Sequence, residues 1–276
     1  MSNTAASAIC NPQPATSYPP PSHTVLGVRV DDVTADEALA LCEAFIRDRR
    51  RAVVTPNPEI VMAARADGGL RHALARADLA IPDGGGLLLA ARLWGRPLRE
   101  QVRGTDLAYR LIERAAARGY RVFLLGAAPG VADEAARRLR AAYPGLCIAG
   151  TYAGIADEAH DADTQAAVAR AGPVDVLLVA YGASKQEQWL ARNLPTLDVG
   201  VALGIGGVLD FMAGRVRRAP APIRHAGFEW LYRLLVQPWR WRRQLRAARY
   251  FPLVALRAPV ERSRESGVGS RQCRLP

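Results

Sequence analysis

Asp83 closes an apolar run and is followed at once by three glycines, in the stretch ADLAIPDGGGLLLA that begins at Ala77. A Pro-Asp-Gly turn from strand to helix, with Asp83 as the helix cap, would account for the carboxylate and for one glycine. Glycine costs order wherever the backbone must be fixed, so Gly84, Gly85 and Gly86 together exceed what that turn needs. Three further loops show a similar surplus. Thr55 and Asn57, in TPNP, could cap a helix that starts at Pro58. Gly126 and Gly130, in GAAPG, suit a loop that holds a diphosphate on backbone N–H groups at a helix start, although the GxGxxG fingerprint is missing. After Gly182, the run ASKQEQW puts Lys185, Gln186 and Glu187 in a first helical turn, where the helix dipole would favour Glu187. Lys185 is the only lysine of a chain that otherwise uses arginine. Asp161 and Asp163 have the D-x-D spacing that binds a metal-nucleotide in many sugar transferases, but they precede a helix that Asp163 would cap. They are read as structural, and no metal site is expected.

The elements around these loops explain why they belong together. Short strand-like runs, VLGVRV from Val25, AVVT, DLAI, YRVFLLG, LCIAG, VDVLLVAYG and VGVALGIGG, alternate with helical patterns. One of these, TADEALALCEAFIRDRR, opens on a capping box of Thr34 and Glu37. Strand and helix in alternation predict an α/β fold: a doubly wound, mostly parallel sheet with helices on both faces. Ligands of such sheets bind beyond the carboxyl ends of the strands, which is where all four loops fall.

The chain has 276 residues, half of them apolar, and a net charge of +11. Its four cysteines are scattered without a CxxC or a histidine partner, so neither a disulfide framework nor a zinc site is indicated, and a reducing cytosol fits. Residues 1–24 read as a disordered leader lacking the features of a secretory signal, 25–210 as the α/β catalytic domain, 211–257 as a basic amphipathic helical appendage and 258–276 as a flexible tail. Cutting the chain before Phe211 is expected to leave the α/β domain folded. The appendage holds ten arginines between 215 and 249 against a single acid, Glu229, and three of the five tryptophans. That mixture suits a lipid headgroup surface or a nucleic acid.

Six blocks, TPNPEIVMAARAD, LAIPDGGGLLLAARL, VRGTDL, VFLLGAAPGVADEAARRLRAAYPGL, VAYGASKQEQW and LGIGGVLDFMAGRVRRAPAPIRHAGFEWLYRLLVQPWRW, stand in an order and spacing that resembles the WecG/TagA/CpsF glycosyltransferases, glycosyltransferase family 26. The resemblance runs from about Val25 to Tyr250. It implies an inverting, metal-independent hexosyltransferase without a cofactor, which moves N-acetylmannosamine or a related sugar from a UDP-sugar donor to a polyprenyl-diphosphate-linked saccharide. Such an enzyme would be cytoplasmic and peripheral on the inner face of the membrane, serving cell-surface polysaccharide biosynthesis. On the matching positions Asp83 becomes the general base, and Thr55, Asn57, Gly84, Gly104, Lys185, Gln186 and Glu187 bind the sugars. Gly126, Gly130 and Gly182 are the candidates for UDP, and Arg217, Arg218, Arg233 and Arg240 for the lipid diphosphate. Two positions depart from the family pattern: Ser184 stands where proline is usual, and Gln101 where arginine is common, so that Arg103 or a C-terminal arginine would have to replace it.

Two other sugars, glucose and glucuronic acid of exopolysaccharide assembly, fit the same residues, and self-association is left open. A nicotinamide-dependent oxidoreductase would show GxGxxG after the first strand with an acid about 20 residues on, which VLGVRVDDVT does not. A nucleic-acid-binding protein would explain the charge but not the loops, and no nucleic acid partner is expected.

Overall fold

A computed structural model of the chain describes residues 17–225, 229–238 and 241–258, without the side chains of 225, 242–244 and 246. Six strands, β3 (Arg51–Val54), β4 (Leu79–Ala80), β5 (Arg121–Gly126), β6 (Cys147–Tyr152), β7 (Val174–Ala180) and β8 (Val199–Gly204), form one parallel sheet in the order β4-β3-β8-β7-β5-β6. Its central strands are continuous apolar runs because both faces are covered, and every residue of β8 is buried. The doubly wound α/β fold expected from the sequence is the fold observed.

One face carries α1 (Ala35–Asp48), α5 (Gly104–Arg118), α6 (Val131–Ala142) and α9 (Val208–Met212). The other carries α2 (Pro58–Ala66), α3 (Gly68–Arg76) and α4 (Gly85–Leu93) at the β3–β4 end, with α7 (Asp161–Arg170) and α8 (Lys185–Asn193) beyond them. Thr34 and Glu37 form the predicted capping box, with bonds of 3.2 and 3.0 Å. The helix α3 has no strong sequence signal because it begins on two glycines; the Asp67 carboxylate caps it by accepting the Leu70 N–H.

Three boundaries differ from expectation. The run VLGVRV is not a strand of the main sheet: β1 (Ser22–Val25) and β2 (Val28–Asp31) form a separate antiparallel hairpin, turning at Leu26 and Gly27, which both have positive φ. The leader therefore ends before residue 24, and Tyr18 already packs edge-on against Phe45; residues 1–16 lie outside the described residues. The hairpin has a use, since the buried Asp31 carboxylate accepts the Ala80 N–H at 2.7 Å and so holds the short edge strand β4 on its free side.

The third difference is the appendage. Phe211 and Met212 belong to α9 and are buried, so the proposed division at 211 cuts through a core helix. Beyond α10 (Ala221–His225), α11 (Glu229–Val236) and α12 (Trp241–Ala248), residues 250–258 are helical and return to the domain. Tyr250 and Val254 are buried against α2 and α4, and the Trp94 indole N–H donates to the Val254 carbonyl at 3.0 Å. A chain cut before Phe211 would lose these core residues, so it is not expected to remain folded. The predicted tail, 258–276, lies outside the described residues except for Ala258.

Candidate active site

The short strand β4 delivers Asp83 to the carboxyl rim, where its N–H donates to the carbonyls of Ile81 (2.9 Å) and Pro56 (3.1 Å). The Asp83 carboxylate is not the cap of the helix that follows it. The residue before α4 is Gly84, and no side chain closes that helix. The Asp83 carboxylate instead faces the N–H of Gly104, the first residue of α5, whose dipole favours its charge, so it serves a helix that starts some twenty residues later in the chain. A Cβ on Gly104 would stand 2.7 Å from Thr55 Cγ2 and 3.4 Å from Asp83 Oδ2, so only glycine brings α5 this close to both side chains. Thr55, Asp83 and Gly104, predicted from three separate blocks, meet at one point.

Burial pushes the Asp83 carboxyl up to about 7, and the negative charge of Glu229 adds to the rise. The Gly104 N–H and the guanidinium groups of Arg103 and Arg233 oppose it. Asp83 keeps part of its surface at the rim. A carboxyl half-ionised near neutrality, open on one side and backed by a helix N-terminus, is suited to accept a proton from a substrate hydroxyl.

The three glycines after Asp83 have different causes. Gly84 has φ +117°, a region that side chains rarely enter, and a Cβ on Gly86 would stand 2.5 Å from Pro58 Cγ. Only Gly85 faces open space. Packing of α2 against α4 thus accounts for one glycine and backbone conformation for another.

Asn57 is the cap of α2, its Oδ1 accepting the Ile60 N–H at 3.0 Å, and its amide nitrogen has no protein partner among the described residues. Thr55 is buried, and its hydroxyl donates to the Gly204 carbonyl at 3.4 Å. Gln186 is buried with both ends of its amide engaged: Oε1 accepts the Gly206 N–H at 2.8 Å and Nε2 donates to Glu187 Oε1 at 2.9 Å. Glu187 is buried beside it, and Lys185 is exposed on the first turn of α8. Gln186 therefore braces the protein itself, and its amide keeps one N–H and one lone pair beyond these two bonds.

Connections diverge between β5 and β7, since α6 leads from β5 outward to β6 on one face while α8 leads from β7 inward to β8 on the other. That is the crevice in which open α/β sheets bind nucleotides. Gly126 (φ +100°) and Gly182 (φ +86°) flank it, and a Cβ on Gly126 would stand 2.8 Å from the Ala180 carbonyl carbon. Gly130 (φ +76°) starts α6, whose first turn holds Asp133 and Glu134, a poor seat for an anion. At about 4.8 Å per strand, the crevice lies roughly 17 Å from β4.

The basic segment reaches back over this rim. Arg233 stacks on the Phe211 ring at 4.8 Å, and its charge acts on Asp83. Arg218 pairs with Glu229 at 3.2 Å and with Asp106 on α5, while Arg224 stands 3.8 Å from the same Asp106. Arg103 donates to the Arg224 carbonyl at 2.8 Å. Arg217 is exposed, and Arg240 lies outside the described residues. Sequence reasoning did not select Asp106, Arg224 or Glu229. The block VRGTDL already contained Asp106, and the lone acid of the basic segment marked Glu229 as the one carboxylate there that would need a reason.

The sequence profile of the Glycosyl transferase WecG/TagA/CpsF family matches residues 23–265. Three curated relatives share the name N-acetylglucosaminyldiphosphoundecaprenol N-acetyl-beta-D-mannosaminyltransferase. The protein of Bacillus spizizenii strain W23 is 36% identical over 203 residues, 73% of this chain and 77% of the relative. That of Bacillus subtilis strain 168 is 33% identical over 207 residues, 75% and 80% of the two chains. That of Staphylococcus aureus strain NCTC 8325 is 29% identical over 224 residues, 79% and 85%.

Proposed function

The chain belongs to the WecG/TagA/CpsF family of glycosyltransferases, and from that premise we propose that it transfers N-acetylmannosamine or a related hexose from a UDP-sugar to a polyprenyl-diphosphate-linked saccharide in cell-surface polysaccharide synthesis. The names of the relatives support the acceptor class and the sugar, and the placement of Asp83 is the observation that carries the chemistry. Ionised Asp83 takes the proton of an acceptor hydroxyl, and that oxygen attacks the anomeric carbon. The bond to UDP breaks on the opposite face, inverting the configuration, and the proton later leaves Asp83 to solvent.

The departing diphosphate needs positive potential. The helix α4 begins at the rim with no side chain over its N-terminus and no acid in its first turn, whereas α1, α2 and α3 are closed by Thr34, Asn57 and Asp67. That open N-terminus, with Arg103 and Arg233, supplies it in place of a metal. Asp161 is already held by Arg192 at 2.7 Å, and Asp163 is exposed in the first turn of α7. Turnover in excess EDTA should therefore equal turnover with magnesium or manganese. Activity lost to EDTA and revived by manganese would return the D-x-D pair to the site.

Because the base must be ionised, kcat/KM should rise about tenfold per pH unit below the Asp83 value of about 7 and level off above it. A profile flat from pH 5 to 8 would remove Asp83 from this role. The decisive assay is UDP release over a panel of UDP-sugars with a short-chain polyprenyl diphosphate acceptor, and a UDP-sugar other than N-acetylmannosamine giving the fastest release would correct the donor.

No helix among the described residues is long and apolar enough to cross a membrane. The return segment nevertheless exposes Leu235 (73%) and Leu256 (75%), together with Trp230, Leu245 and Phe251, among arginines. This face docks the enzyme on the anionic inner leaflet, where the acceptor's lipid resides. Replacing Leu235 or Leu256 by Glu should lower partition onto anionic vesicles by at least about tenfold each, since a buried leucine contributes about 1.5–3 kcal/mol. Undiminished co-sedimentation of both variants would place the membrane surface elsewhere.

A further inference from the structure

Glu187 is 1% exposed, although it sits in the first turn of α8, where an ionised carboxylate is ordinarily stable facing water. One of its oxygens accepts the Gln186 amide at 2.9 Å, and the other, Oε2, has no partner among the described residues. Burial raises its titration above the ordinary carboxylate range, against the pull of the Gln186 amide and of the Glu187 and Ser184 N–H groups, with Glu59 adding to the rise. A buried oxygen without a hydrogen bond costs folding energy that an apolar side chain of the same volume would avoid.

What the carboxyl holds is Gln186, and what Gln186 holds is the loop 204–207 that leaves β8. Gln186 Oε1 receives the Gly206 N–H, and its amide lies so close to Gly204 that a Cβ there would stand 2.8 Å from Nε2. The same loop meets the transfer site on both sides. Its Gly204 carbonyl receives the Thr55 hydroxyl, and a Cβ on Gly207 would stand 3.1 Å from Arg233 Nη2. The loop thus joins the residue beside Asp83 to the arginine that arrives from α11.

We propose that Glu187 is a positioning residue: through Gln186 it fixes the loop 204–207, and so sets Thr55 and Arg233 against the reacting sugars. The inference rests on the function proposed above but can fail separately from it. Glu187→Met keeps the volume and removes the anchor, and Glu187→Gln keeps an acceptor oxygen for Gln186. Three quantities are measured on the full chain: the melting temperature, hydrogen exchange at the Gly206 amide, and kcat and KM for UDP-sugar and lipid acceptor. The Met variant should melt at or above the wild-type temperature, exchange Gly206 at least tenfold faster, and lose at least tenfold in kcat with donor KM changed less than threefold. The Gln variant should restore exchange and kcat to within about threefold of wild type. Unchanged Gly206 protection in the Met variant overturns the bracing. Faster exchange with unchanged kcat overturns the catalytic consequence. If the wild type transfers no sugar from any UDP-sugar, the reading of the previous subsection fails, while the exchange measurement still decides whether Glu187 holds the loop.

Discussion

Replacing Asp83 by Asn lowers sugar transfer by about 100-fold or more and leaves UDP-sugar binding within a few-fold of wild type. The amide has the size of the carboxyl and can still face the Gly104 N–H with an oxygen, so the meeting of Thr55, Asp83 and Gly104 survives. It has no basic oxygen, so the acceptor hydroxyl keeps its proton. Stability should move the other way. A carboxyl whose folded value is raised to about 7 from 3.8 binds its proton more tightly folded than unfolded, so the native protein loses stability as pH climbs through that interval. The Asn variant does not titrate, and its melting temperature relative to wild type should rise between pH 4 and 8. Near wild-type turnover in this variant would sink the assignment of Asp83 as base.

Removing the Tyr250 ring should destabilise the fold by about 3–5 kcal/mol, the range for an aromatic side chain taken out of a core. Tyr250 is fully buried, and its hydroxyl donates to the Gly86 carbonyl at 3.0 Å. The ring lies 3.5 Å from where a Cβ on Gly86 would stand, so the return helix supports the turn that carries Asp83. Tyr250→Ala should therefore lose transfer as well as stability. Tyr250→Phe, which gives up only the hydrogen bond, should cost about 1 kcal/mol and keep most of the activity. Denaturant unfolding of the two variants at the wild-type midpoint would mean that the C-terminal helix is not part of the folded core.

Asp83 was legible because a carboxylate beside surplus glycines has no easy local explanation, and the alternation of runs was enough to recover the parallel sheet. Its partner was not legible. That an aspartate at the end of β4 should face the first N–H of α5 depends on how separate elements meet at the rim, and no local spacing carries that information. The bracing done by Gln186 was not legible either, since a polar residue in a rim loop looks the same in sequence whether it faces a ligand, the protein or both. The hairpin at Leu26 and Gly27 was hidden because leucine, not the usual Asn or Asp, takes the positive φ. Ser184 has φ +73°, which a pyrrolidine ring cannot adopt, so α8 enters here by a turn that proline could not make. The division at 211 failed because charge density described the surface of the last segment and said nothing of Tyr250 and Val254 beneath it.

The strand order also governs when the protein can assemble. Because β8 lies between β3 and β7, the β3–β4 edge has no place in the sheet until residues 199–204 have been made, about 150 residues after β3. At the usual ~5–20 residues per second of synthesis, that wait is on the order of 10–30 s. During it β5, β6 and β7 can pair among themselves, since the chain supplies them in close succession. The edge of β3 that pairs with β8 meanwhile stays uncovered, and contacts closed over such sequence separations form slowly. The newborn chain thus carries β4 and Asp83 apart from the central strands until about residue 204 has been made, so the transfer site is completed late in synthesis.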